Sequence, residues 1–325
     1  MPALLDIRGL SVHYPTAAGV ARAVDGVDLT VGAGRTLGLV GESGCGKTSV
    51  ALAIPRLLPA AAKVTGSILF DGSPLLDLPE RELRAVRGGG VGVVFQDPGA
   101  SFDPLFSLGN QIAETVRWHR QASWRSSWAE ALDLLRSVRM PDFERVARQY
   151  PHQVSGGMLQ RAAIAAALAG RPRLLIADEP TTALDVTVQA EILELMRQLR
   201  AERGLALLWI THDLDVVAAL ADEVAVMYAG KIVEAGPGRA VFNDPRHPYT
   251  QSLLRCRPRL GETGRLATID GVVPAATAWP QGCRFRDRCQ HRSEICLREP
   301  RPEATPAGGV VTCWNWRAIG APAGS

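Results

Sequence analysis

Short apolar runs of four or five residues alternate along the chain with longer stretches in which apolar positions recur every third or fourth residue. The short runs are Leu37–Val40, Val91–Phe95, Leu174–Ala177, Ala206–Ile210 and Val224–Tyr228, and their richness in Val, Ile and Leu predicts strands of a buried sheet. Val188, Ile192, Leu195 and Leu199 fall at i, i+4, i+7 and i+11, which predicts an amphipathic helix from Val186 to Arg203, ended by Gly204. From Asp97 to Arg171 the strand pattern is missing and helical stretches dominate, including a piece with Trp118, Trp124 and Trp128. The pattern therefore predicts an α/β core over residues 1–241 with a helical subdomain inserted at 97–171. Beyond about Phe242 periodicity fades and prolines, arginines and cysteines gather, so 242–325 is expected to form a small irregular extension.

Composition narrows the class. A chain of 325 residues with 46% hydrophobic and 21% charged residues can bury a full core. A net charge of +3 does not by itself argue for nucleic acid. The extension is locally basic, with ten Arg against five Asp and Glu between Arg255 and Arg301. The longest strongly apolar run, Ala162 to Ala169, falls far short of the ~20 residues of a membrane span. The opening MPALLDIRGL has neither a basic start nor a long apolar core, so the expectation is a cytoplasmic protein. In that reducing setting the six cysteines favour metal binding or burial over disulfides.

Three motifs carry chemistry. Gly41-Glu42-Ser43-Gly44-Cys45-Gly46-Lys47-Thr48 matches the phosphate-loop pattern G-x-x-x-x-G-K-T, follows an apolar run and opens a helical stretch. Its glycines let backbone N–H groups wrap phosphates, Lys47 brings a full positive charge, and Thr48 offers a hydroxyl to magnesium. Leu174-Leu175-Ile176-Ala177-Asp178-Glu179 is an apolar strand ending in two acids; Asp178 suits magnesium, and Glu179 suits a general base that polarises water. Val154-Ser155-Gly156-Gly157-Met158-Leu159-Gln160-Arg161 places small residues at a helix start, where Ser155 also suits an N-cap.

The third motif resembles the ABC signature, usually written LSGGQ, with Val154 in place of Leu and Met158 in place of Gln. The resemblance extends over nearly the whole chain, closest to the oligopeptide/dipeptide permease ATPases of the SGGM branch, and includes their HPYT element at His247-Pro248-Tyr249-Thr250. It implies a P-loop NTPase (RecA-like) nucleotide-binding domain that takes ATP and Mg2+. By the family's pattern Gly41, Ser43, Gly44, Cys45, Gly46, Lys47, Thr48 and Ser49 hold phosphates and Tyr14 stacks on adenine. Gln96 is the Q-loop residue at magnesium, beside Thr48 and Asp178, and His212 is the switch histidine at the γ-phosphate. Thr182-Ala183-Leu184-Asp185 is the D-loop, with Asp185 facing the opposite site; Ser155, Gly156 and Gly157 close on ATP bound by the other subunit.

Cys283, Cys289, Cys296 and Cys313 are separated by five, six and sixteen residues, which matches neither the common zinc nor the common ferredoxin spacing. Their surroundings resemble a motif that in some family members is associated with a 4Fe–4S cluster; Zn2+, two disulfides and unligated thiols are the competing readings. Arg284, Arg286, Arg288 and Arg292 would offset a cluster's charge, and Trp314 and Trp316 would shield it. Cys45 and Cys256 are expected to be ordinary small residues.

The resemblance further implies an importer of di- and oligopeptides. This chain would pair with a second, different ABC ATPase under two transmembrane permease subunits, at the cytoplasmic face of the cell membrane. An extracytoplasmic binding protein would deliver substrate, and no nucleic-acid partner is expected. The helical insertion would meet the membrane subunits, with Phe102, Phe106 and the tryptophans either at that contact or in the subdomain's core. Other solutes, such as nickel chelates, are the alternative cargo. A soluble ABC ATPase acting on ribosomes or DNA is the alternative class, against which stands the single set of motifs.

Overall fold

The computed structural model describes residues 3–182, 184–257 and 268–319, so Ala183 of the D-loop and part of the extension lie outside the described residues. The chain forms two compact units, each woven from separate segments. One is built mainly from residues 74–210 together with 31–35; the other takes 5–30, 36–73 and the chain from 211 onward.

In the first unit, strands Val91–Val94, Leu174–Asp178 and Ala206–Thr211 run parallel, with Val91 opposite Leu174 and Leu174 opposite Ala206. Leu174–Asp178 lies between the other two and is buried along its whole length, as its unbroken apolar sequence requires. Removing a Leu or Ile side chain of this strand from water contributes about 1.5–3 kcal/mol. Every regular element described between 97 and 171 is helical, the main ones being Leu108–Arg120, Trp124–Ser137 and Gly156–Leu168. Helix Gly156–Leu168 reaches the sheet where Gly92 has no side chain; a β-carbon there would meet the Ala167 carbonyl oxygen at 2.5 Å. Helix Val186–Arg203 buries Ile192, Leu195, Met196 and Leu199 and ends at Gly204, whose φ of 62° is the left-handed cap expected of glycine. Phe102 is buried, whereas Leu105, Phe106, Trp118 and Trp124 are exposed.

In the second unit, strand Ala3–Thr16 pairs antiparallel with Lys63–Phe70, setting Leu5 opposite Phe70 and His13 opposite Lys63. Strand Gly19–Gly32 flanks Ala3–Thr16, burying Val27, Leu29 and Val31 and exposing Asp28 and Thr30 between them. Strand Thr36–Val40, wholly buried, runs parallel to Glu223–Tyr228. The latter turns at Ala229–Gly230, both with positive φ, into Lys231–Pro237. The extension does not stand apart from this sheet: Val310–Val311 pairs with Lys231–Pro237, Val311 lying opposite Glu234, and Glu303–Ala304 pairs with Val310–Val311. Among the described residues no helix is long and apolar enough to cross a membrane.

Candidate functional site

The buried strand Thr36–Val40 delivers the chain into the Gly41–Gly46 loop, and helix Lys47–Ala53 leaves it. Gly46 sits at φ 113°, where a β-carbon would overlap the carbonyl oxygen of Ala23; the loop closes only with glycine there. The Gly230 N–H donates to the Cys45 carbonyl (2.9 Å) and pins the turn to the neighbouring hairpin. Burial pushes the Cys45 thiol up, so this cysteine is packing inside the turn. Lys47 is almost wholly buried, and its Nζ donates to the carbonyls of Gly41 (2.8 Å) and Glu42 (3.1 Å). Ser43, Gly44 and Thr48 face outward. Tyr14 is brought to the same place, its hydroxyl 3.0 Å from Ser49 Oγ. His212, in the same unit, is exposed just beyond strand Ala206–Thr211, and Asp213 after it caps helix Leu214–Leu220.

The first unit gathers the acids. Asp178 closes its strand and is 4% exposed. Glu179 follows at φ 47°, an unusual conformation for a side chain of its size, held by its N–H donating to Ile210 O at 2.9 Å. Its carboxylate accepts from Gln96 Nε2 (3.4 Å) and Thr182 Oγ1 (3.0 Å), so residues far apart in sequence aim one acid. Ser155 caps helix Gly156–Leu168, accepting from Met158 N. Asp185 caps the next long helix, accepting from Val188 N at 2.9 Å. A β-carbon at Gly157 would stand 2.8 Å from Val188 Cγ1, so the signature turn rests on the first turn of the helix that Asp185 starts.

Two side chains at the phosphate loop escape sequence reasoning. Tyr249 accepts a hydrogen bond from the Glu42 N–H, and Arg288 pairs with the Glu42 carboxylate through both of its terminal nitrogens. Neither is signalled by spacing, because the contacts span 207 and 246 residues.

The cysteine quartet differs in detail from expectation. Burial pushes the Cys313 thiol up to about 12, with a hydrogen bond from the Asn315 backbone opposing it and Cys283, Cys289 and Cys296 adding to it. Burial likewise raises Cys283 to about 11. Cys289 Sγ accepts from His291 N, and Asn315 Nδ2 donates to Cys296 Sγ. Among the described residues no three His, Cys, Asp or Glu side chains are arranged to hold a metal ion. The arginines expected to offset a cluster are largely engaged elsewhere. Arg284 pairs with Asp25 and stacks on Trp279, Arg286 donates to Gln281 O, and Arg288 serves Glu42; burial raises the Cys289 thiol's pKa, and the charge of Arg292 opposes that rise only in small part. Trp316 is buried beside Cys313, its indole N–H bound to Glu303, while Trp314 donates to Arg298 O.

Residues 24–182 match the family profile described as ABC transporter. Residues 233–296 match the one described as oligopeptide/dipeptide transporter, C-terminal region. A Brucella melitensis chain named for peptide import and ATP binding, BMEII0863, is 48% identical over 98% of each chain. The chain belongs to the ABC transporter family. The oligopeptide transport ATP-binding protein OppD of Haemophilus influenzae is 44% identical, with 97% of this chain and 98% of that one covered. The ATP-binding cassette MJ0796, solved as a dimer in a post-hydrolysis state bound to ADP and Pi, is similar with a TM-score of 0.66 at 28% identity. That likeness covers 72% of this chain and 99% of the other.

For an ABC chain, ATP with Mg2+ is the expected ligand, and the local chemistry fits. A glycine-lined turn that a β-carbon would close surrounds a nearly buried ammonium, and hydroxyls stand exposed at Ser43 and Thr48. Three of the four clustered cysteines, Cys283, Cys289 and Cys296, fall within the matched C-terminal region.

Proposed function

We propose that this chain binds and hydrolyses ATP as an ATPase subunit of an importer of di- and oligopeptides. The observation that carries the reading is the phosphate turn around Lys47, together with a Glu179 carboxylate already oriented by Gln96 and Thr182. In this reading 1–241 is the nucleotide-binding domain, 97–171 its helical subdomain and 242–325 the extension. Backbone N–H groups from Gly41 and Ser43 through Ser49, with the Lys47 ammonium, meet the phosphates. By the family's pattern Thr48, Gln96 and Asp178 would hold magnesium, which would supply positive charge to the phosphates, and Tyr14 would stack on adenine. Glu179 takes the proton of the attacking water as its oxygen bonds to the γ-phosphorus and the bond to ADP breaks. His212 meets the γ-phosphate.

Ser155, Gly156, Gly157 and Asp185 address ATP bound by a second ABC ATPase, most simply a different chain. ATP that touches both subunits favours the closed pair, because a ligand shifts an equilibrium by its differential affinity; hydrolysis releases it. The exposed Leu105, Phe106, Trp118 and Trp124 offer apolar area to two membrane permease subunits at the cytoplasmic face, with an extracytoplasmic binding protein delivering substrate. Cys283, Cys289, Cys296 and Cys313 are proposed to hold a 4Fe–4S cluster, with Zn2+ the alternative, because their surroundings resemble the family's cysteine motif and the first three lie in the matched C-terminal region. Bound, it would supply iron–thiolate bonds that tie the extension together.

Glu179→Gln tests the central assignment. The variant is expected to retain ATP binding while phosphate release in the assembled complex drops by roughly 10²-fold or more, the usual worth of a general base. Unchanged hydrolysis would overturn it.

A further inference from the structure

Glu42 is a non-glycine position of the phosphate loop, and the general pattern demands nothing of it. In this chain all three of its polar groups are engaged. Its carbonyl accepts from Lys47 Nζ at 3.1 Å. Its N–H donates to the Tyr249 hydroxyl at 2.9 Å. Its carboxylate takes Arg288 Nη1 at 2.7 Å and Nη2 at 3.0 Å, the two-pronged geometry in which arginine and carboxylate fit best. Arg288 is itself immobilised: its side chain is 6% exposed, Nε donates to Asp270 O (2.9 Å), Nη2 to Ile269 O (3.3 Å) and Nη1 also to the Tyr228 hydroxyl (3.4 Å). Tyr249 is wholly buried, its ring 4.7 Å from that of Tyr228 and 5.3 Å from that of Phe285.

We infer that Arg288 and Tyr249 are positioning residues for ATP binding, acting on the phosphate loop through Glu42. Two physical effects follow from the geometry. The first is placement: Lys47 takes its bearing partly from the Glu42 carbonyl, and that peptide is fixed from the other side by Tyr249. The second is charge. A carboxylate within a loop that receives a polyanion repels it, and the guanidinium cancels that repulsion at hydrogen-bond distance in a region of reduced dielectric. The C-terminal region is thereby part of the ATP site's construction. The inference rests on the reading of Gly41–Thr48 as that site.

The test uses the full chain, with MgATP titrations and steady-state hydrolysis compared across Arg288→Ala, Tyr249→Phe and the double variant Glu42→Gln/Arg288→Ala. Arg288→Ala is expected to raise the Kd and KM for MgATP about tenfold or more with kcat changed less, since it exposes the loop's anion and loosens the lysine's frame. The double variant, which no longer carries the anion, should recover at least half of that loss on a logarithmic scale. Tyr249→Phe, which keeps the buried ring, should raise Kd severalfold without lowering the melting temperature by more than a few degrees. A structural tie alone would lower the melting temperature of Arg288→Ala and leave Kd within twofold of wild type; that result overturns the inference, as does failure of the double variant to recover affinity. If Arg288→Ala does not fold, Arg288→Lys serves in its place: it keeps the charge but not the fork, and a Kd within twofold of wild type for both it and Tyr249→Phe is again overturning. A wild-type chain that binds no MgATP removes the ATPase reading and this inference together, whereas a binding wild type with unaffected variants removes this inference alone.

Discussion

Gly46 shows how much a single position can demand. At φ 113° a β-carbon is strained by its own backbone, and the Ala23 carbonyl oxygen occupies the space it needs. Backbone atoms cannot step aside as a flexible side chain would, so Gly46→Ala is expected to cost on the order of 1–3 kcal/mol and to distort the turn. A fluorescent-nucleotide titration should find ATP affinity reduced at least tenfold, alongside a lower melting temperature; wild-type affinity would mean the loop accommodates the methyl. Lys47, Thr48, Asp178 and Glu179 stand out one by one as candidates in the sequence, because the chemistry of phosphates and water favours those residue types at that spacing. The hydrogen bonds that aim Glu179 do not, since they come from Gln96, 83 residues upstream, and from Thr182 folded back on it.

At the scale of elements, helix starts are set by local side chains. Ser123, Ser155, Asp185 and Asp213 each accept from a backbone N–H of the helix that follows. His247 does the same for helix Pro248–Arg255: its Nδ1 accepts from Tyr249 N at 3.0 Å, with Pro248 at the first helical position. Complete burial depresses this histidine to about 3, so the folded chain keeps it neutral while the unfolded chain protonates it near 6.5. Between those values the unfolded state binds the extra proton, so stability falls as pH drops below about 6.5. Glu234, whose carboxylate accepts from His247 N, acts in the opposite sense: burial raises its pKa, and stability falls as pH rises past its unfolded value. His247→Asn retains a capping acceptor and removes the titration. Its stability should therefore depend less on pH between 7 and 5 than that of the wild type, by about 2 kcal/mol at pH 5. Parallel denaturant melts at the two pH values would measure it; identical slopes would mean that His247 is not buried neutral.

The same scale shows which elements the apolar pattern reveals. Each anticipated strand appears within a residue of its expected ends, since a run buried on both faces leaves an unbroken signal. Strands Ala3–Thr16 and Gly19–Gly32 went unread, although Val27, Leu29 and Val31 alternate with Asp28 and Thr30. One-sided burial spreads the signal over every second residue, and Gly9 and Gly26, both at positive φ, interrupt it.

At the scale of the molecule, the segment from 268 to 319 is irregular and has a small apolar cluster of its own, Val311, Cys313 and Trp316. Its strands Glu303–Ala304 and Val310–Val311 are two residues each. It is held to the rest of its unit by pairing with Lys231–Pro237 and by the ion pairs Arg284–Asp25, Lys231–Glu299 and Arg288–Glu42. Small irregular segments of this kind commonly draw on a metal or cross-links for order. Anaerobically purified protein should therefore carry about four irons with a broad absorbance band near ~400 nm. Cys289→Ala should lose both and become more susceptible to limited proteolysis within this segment. Protein without iron, or a variant that keeps it, would withdraw the cluster assignment.

The sequence by itself determined the chemistry, the α/β class and the elements buried on both faces, because these depend on residue type and on spacings of a few positions. The irregular extension had no such periodicity to read. Only the tertiary structure decided that this extension threads back into a sheet, that its arginines serve Asp25 and Glu42 in place of the thiols, and that Tyr249 reaches the phosphate loop. Those contacts join positions some 200 to 260 residues apart, and side-chain partners at such separation are chosen by the packing of the whole unit, which no local pattern records.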